Sequence, residues 1–140
     1  MKPRLLSRLD LLAAEQETQL LEIIRRQNAA LKQTGHQRGV LASYRDRLAA
    51  SWQDGAPVRA AQASRAGQFS AASHGAEAQI DHAAQLAAER LEAALADLAQ
   101  VQARRRALGE ASAKAARQAE RAAEQCLERD MPVPRSIFQP

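Results

Sequence analysis

The chain has 140 residues, a formal net charge of +4 and a sequence pI near 10.0, with 46% hydrophobic but only 3% aromatic residues. The four aromatics, Tyr44, Trp52, Phe69 and Phe138, are too few for a thick globular core, and the rest of the composition favours helix and an elongated form. No uncharged apolar run is long enough to cross a bilayer, and the run after Met1-Lys2-Pro3-Arg4 is too short for a secretory signal, so a cytoplasmic location is expected.

A first helix is expected over residues 1–54. It can begin at Pro3, a good first helical residue, or at Ser7, whose hydroxyl can cap with Asp10 three residues on. Its first apolar line reads Leu5, Leu9, Leu12, Gln16 and Leu20, with an eleven-residue step from Leu9 to Leu20 that relaxes a left-handed supercoil. From Leu20 the line continues at fours and threes through Ile24, Gln27, Leu31, Thr34, Arg38, Leu41, Arg45, Leu48 and Trp52. Gly35 and Gly39 mark either a soft point or a close approach of a partner backbone.

Asp54-Gly55-Ala56-Pro57 is a stop signal. The chain is expected to turn within residues 55–75, which hold Gly67, Gly75, Ser70, Ser73 and His74; a short helix from Val58 to Ala66 is compatible with Pro57 before it. A second long helix follows over residues 76–130. Residues 131–140, with Pro132 and Pro134, form an extended tail.

The second helix carries the clearest pattern: Ile80, Ala84, Ala87, Leu91, Ala94, Leu98, Val101, Arg105, Leu108, Ser112, Ala115, Ala119, Ala122 and Cys126, with only Arg105 and Ser112 polar. Such a 3.5-residue repeat predicts an all-α fold, a long antiparallel two-helix coiled-coil hairpin. Folding at residue 66 pairs positions summing to about 132. Leu31 then meets Val101, Trp52 meets Ile80, and Cys126 is a small buried side chain of the seam. The hairpin is expected to be a monomer when free.

Nothing points to catalysis, a metal or a cofactor. His36, His74 and His82 are scattered, and there is no Cys-x-x-Cys or Gly-rich phosphate loop. Residues 1–54 carry nine Lys and Arg against six Asp and Glu, and residues 76–140 nine against ten, an interleaving typical of solvated helix faces. Nucleic acid is a poor partner, because no aromatics are interleaved for base stacking.

Three candidate surfaces remain. Arg104, Arg105 and Arg106 face Arg25 and Arg26 in the 132 register, a basic belt that either meets an acidic partner or snorkels into solvent. At the tip, Trp52, Val58, Arg59, Arg65 and Phe69 combine the residue types of protein interfaces with a stretch free of acids; they either bind a partner or close the hairpin. The terminal end brings Leu5, Leu9 and Leu12 to Ala119 and Ala122.

The Leu5-Leu6-Ser7-Arg8-Leu9-Asp10 start, the Tyr44-Arg45-Asp46-Arg47-Leu48 segment and the Gln118-Ala119-Glu120-Arg121-Ala122-Ala123-Glu124-Gln125 stretch lie on a hairpin of this length. In that arrangement the chain resembles the FliJ family of flagellar export proteins and its YscO/SctO counterparts in type III secretion injectisomes. The Pro-containing tail and the Ala content depart from the flagellar members. The resemblance implies a non-enzymatic stalk that enters the hexameric export ATPase ring and reaches the membrane export-gate protein, at the cytoplasmic side of the inner membrane, with secretion chaperones as further partners. It implies that the terminal end (Leu5, Leu9, Leu12, Ala119, Ala122) sits in the ring and that the tip faces the gate. The alternatives are an amphipathic protein whose Leu stripe opens onto a membrane surface or another copy, and a generic coiled-coil adaptor or chaperone escort.

Overall fold

The computed structural model describes residues 2–53 and 59–131. Two α-helices, α1 over Pro3–Gln53 and α2 over Ala60–Asp130, run antiparallel and pack as a coiled-coil hairpin. None of the described helices is long and apolar enough to cross a membrane. α1 starts at Pro3, the first of the two expected sites, where the Lys2 carbonyl accepts from the Leu5 and Leu6 amides.

α2 starts at Ala60, where the Arg59 carbonyl accepts from the Gln62 and Ala63 amides, and not near residue 76. The expected turn over 55–75 is therefore helical from Ala60 on. A helix interior tolerates a glycine at a cost of about 1 kcal/mol relative to Ala. Neither Gly67 nor Gly75 is followed by a proline that would break the ladder, and the surrounding alanines keep the segment helical. A Cβ added at Gly35, Gly39, Gly67 or Gly75 would meet nothing within 4 Å, so none of the four marks a close backbone approach.

The early start of α2 moves the register. In the unit formed by residues 19–98, Arg38 pairs with Asp81 and Arg45 with Glu77, numbers that sum to 119 and 122. A sum of 132 puts Ala94 opposite Arg38 and Ala87 opposite Arg45. The seam of this unit contains Thr34, Ser73, Ala87 and Ala94 as its most buried residues, with Leu20, Ile24, Leu31, Leu41, Leu48, Phe69, Ile80, Ala84, Leu91 and Leu98 half-buried around them. The Thr34 hydroxyl donates to the Leu31 carbonyl at 2.8 Å, and Ser73 Oγ accepts from Arg45 Nε at 3.0 Å, so both buried hydroxyls are satisfied.

In the unit formed by residues 1–18 with 99–140, the buried positions are Leu6, Ala13 and Val101. Leu5, Leu9 and Leu12, expected in the seam, are 48%, 36% and 58% exposed. Heptad phase runs back from Leu20 through Glu17, Ala13, Asp10 and Leu6, without an eleven-residue step. Two carboxylates occupy seam positions there because Arg105, at the seam of α2, faces them. Leu6, Ser7 and Asp10 share a groove of about 460 Å³ with Leu108, Gly109, Ser112, Ala113 and Ala116. Past Ala116 the helix α2 continues with every described residue exposed, and no described part of α1 lies opposite it. Cys126 lies in that stretch and is exposed, which corrects its expected burial.

Candidate interaction surfaces

The polar seam pairs set the alignment that positions the other surfaces. Arg105 is half-buried between Asp10 and Glu17: its Nε donates to Asp10 Oδ1 at 3.2 Å and its Nη1 to Glu17 Oε2 at 2.7 Å. The hydrogen bond from Arg105 holds the Glu17 carboxyl below its usual range, and the two carboxylates raise the guanidinium. Arg104 Nη1 donates to Gln16 Oε1 at 3.4 Å on one flank of the same level. The basic belt does not form as expected, because Asp10 and Glu17, not Arg25 and Arg26, stand opposite Arg105. Arg25 and Arg26 both bind Glu22 within α1, at 2.7 and 3.2 Å. That pair of arginines brings the Glu22 carboxyl down to about 2, the Arg25 hydrogen bond contributing most.

Residues 19–98 hold a second polar cluster at the loop end. Arg45 makes a bidentate pair with Glu77 at 3.0 and 2.8 Å and also donates to Ser73. The Arg45 hydrogen bond lowers the Glu77 carboxyl and is itself the main reason the Arg45 guanidinium is raised. His74 Nδ1 lies 3.7 Å from the same carboxylate. Next to this cluster Tyr44 and Phe69 meet with ring centroids 5.6 Å apart, inclined at 34°. Phe69 is half-buried, Tyr44 is 56% exposed and Val40 48% exposed, so an aromatic and aliphatic patch reaches the surface here. Grooves of about 270 and 360 Å³ flank it, the first lined by Arg45, Leu48, Ala49, Phe69, Ser70 and His74, the second by His36, Gly39, Val40, Ser43, Tyr44 and Arg47.

Of the expected tip residues, Phe69 belongs to this patch, while Arg65 and Arg59 are exposed at the start of α2 and just before it. Trp52 falls in the last turn of α1 and its side chain, like the whole of Val58, lies outside the described residues. So does the tail from Pro132. Tyr44 was not among the expected tip residues; its position beside the seam line, three residues after Leu41, is the signal that finds it.

The terminal cluster divides into two separate surfaces. Leu5, Leu9 and Leu12 cover one flank of the paired segment. Ala119 and Ala122 lie on the unpaired continuation of α2 and do not pack against them, because α1 begins opposite residues near Ser112 to Ala116. Among the described residues there is no group of three or more His, Cys, Asp or Glu side chains placed to hold a metal ion. No family model, curated protein or solved structure matches the chain.

Proposed function

We propose that the chain is a non-enzymatic coiled-coil stalk of a type III protein export apparatus, engaging the hexameric export ATPase at one end and the membrane export gate at the other. The observation that supports it is the run of α2 from Arg117 to Asp130, which no described residue of α1 faces. A lone helix about 10 Å across fits a central channel, and alanine keeps it helical without a partner. In this reading Ala119 and Ala122 contact the ring; Leu5, Leu9 and Leu12 lie on a different face and are not part of that contact. The patch of Tyr44 and Phe69 contacts the gate, together with Arg59, Arg65, Trp52 and Val58, which the sequence assigns to the same contact. Its aromatic and Arg content suits a protein interface. The chain works at the cytoplasmic side of the inner membrane, and secretion chaperones are further partners. A generic adaptor role uses the same patch without the ring.

The test is stimulation of the purified export ATPase by the purified chain. Ala119→Asp with Ala122→Asp is expected to abolish stimulation with helix content unchanged by circular dichroism. Trp52→Ala with Phe69→Ala is expected to abolish gate binding and leave stimulation intact. An ATPase indifferent to the unaltered chain refutes the stalk reading.

A further inference from the structure

The unit formed by residues 1–18 and 99–140 has one face that neither the seam nor the ring contact uses. On α1, steps of three and four residues link Lys2, Leu5, Leu9, Leu12 and Gln16 along the flank of the seam. On α2 the same spacing runs from Arg104 through Ala107 and Ala111 to Lys114. The hydrogen bond from Arg104 to Gln16 fastens these two stripes side by side. The three leucines are one-third to more than one-half exposed, and Lys2, Arg104 and Lys114 are all exposed. Neither stripe contains an Asp or Glu. The carboxylates of Asp10 and Glu17 are held in the seam by Arg105, and the exposed Glu15 and Glu110 border the face, one helical step beyond Leu12 and Lys114. The result is a face two helices wide with an aliphatic ridge along one side, cations at both ends, and its acidic residues kept to the outer borders.

We infer that this face binds an anionic lipid surface. The residue types decide between lipid and protein. Protein interfaces concentrate aromatics and Arg and are depleted in Lys, and this face has no aromatic. Leucines flanked by Lys and Arg are what an interfacial helix places at the boundary between acyl chains and anionic headgroups. The leucines enter that boundary, and the longer cationic side chains reach the phosphates beside them.

The experiment is vesicle flotation of the full chain, with phosphatidylcholine vesicles with and without phosphatidylglycerol. The unaltered chain floats with the anionic vesicles at about 0.1 M salt and much less at about 0.5 M. Lys2→Gln with Lys114→Gln lowers the partition roughly tenfold or more. Leu9→Ser with Leu12→Ser lowers it at least as far, whereas Leu11→Ser, at a 67% exposed position off this face, leaves it within about twofold. Circular dichroism on each variant checks that helix content is kept. Equal flotation with neutral vesicles, an equal loss in Leu11→Ser, or no flotation overturns the inference. So does a concentration-dependent dimer, seen by sedimentation, that Leu9→Ser with Leu12→Ser abolishes, since the face then belongs to a second copy. ATPase stimulation by the same variants is expected to be unchanged, which separates this result from the stalk reading.

Discussion

Moving the seam from Leu5 to Leu6 predicts unequal effects of two neighbouring substitutions. Leu6 is 3% exposed and Leu5 48%. Leu→Ala removes three carbon groups, worth about 0.8 kcal/mol each when fully buried. For Leu6 that gives about 2.4 kcal/mol, and for Leu5, with half of its surface already in water, about 1.2 kcal/mol. The cavity contribution at Leu6 stays small, because the site opens into the groove it shares with Leu108 and Ser112 and the walls can close on it. The loss falls on a segment able to open locally, so global unfolding is the wrong assay. Native-state hydrogen exchange of the amides from Leu6 to Glu17 is the right one. Leu6→Ala is expected to speed their exchange roughly fiftyfold and Leu5→Ala roughly sevenfold. An equal or larger effect of Leu5→Ala would return Leu5, Leu9 and Leu12 to the seam and refute the register.

Other outcomes follow from the same geometry. Arg105→Glu should open the pairing of residues 3–18 with α2, and adding Asp10→Lys with Glu17→Lys should restore it, read as a coupling in a double-mutant cycle of exchange protection. Glu17 and Glu77 are held below the ordinary 4.5 by their arginines, so the stability they contribute is present above that pH and lost as pH falls through their folded values. The thermal midpoint should therefore stay level from about pH 7 to about pH 5 and drop below pH 4.5. Gly→Ala at Gly39 or Gly67 should stabilise by up to about 1 kcal/mol in urea unfolding, since the new methyl meets nothing. Cys126, exposed, should react with a thiol reagent in the native protein as fast as in urea.

The helical hairpin was legible because a 3.5-residue repeat over long stretches has few other solutions. From Ile80 to Leu108 every expected seam position is buried or half-buried. The polar seam positions Thr34, Arg38, Arg45 and Arg105 were legible too, but the phase of the first turns of α1 was not. Choosing Leu5, Leu9 and Leu12 over Leu6, Asp10, Ala13 and Glu17 followed the leucines and missed two carboxylates whose partner lies on the other helix. The late start assigned to α2 came from reading Gly67, Ser70, Ser73 and Gly75 as a loop. Ser73 is instead buried and bound to Arg45, a pairing visible only once the register is known.

The register error itself has a physical explanation. A sum of about 132 and the observed sums near 118 differ by about two heptads, and a whole-heptad shift keeps every seam residue in the seam. With so much alanine on α2, apolar burial changes little between the two alignments, so hydrophobic contact alone leaves the helices free to slip. The charges remove that freedom. In the shifted alignment Arg38 and Arg45 face Ala94 and Ala87, and Arg105 faces the stretch around Gln27, so three guanidiniums lose the carboxylates they now reach. Half-exposed ion pairs add little to stability, but three arginines stranded against alanine or glutamine penalise the alternative, which is how a polar seam residue specifies alignment. Arg38, Arg45 and Arg105 therefore decide which part of α2 lies beyond α1. Through that they decide whether the segment from Arg117 to Asp130 is presented unpaired.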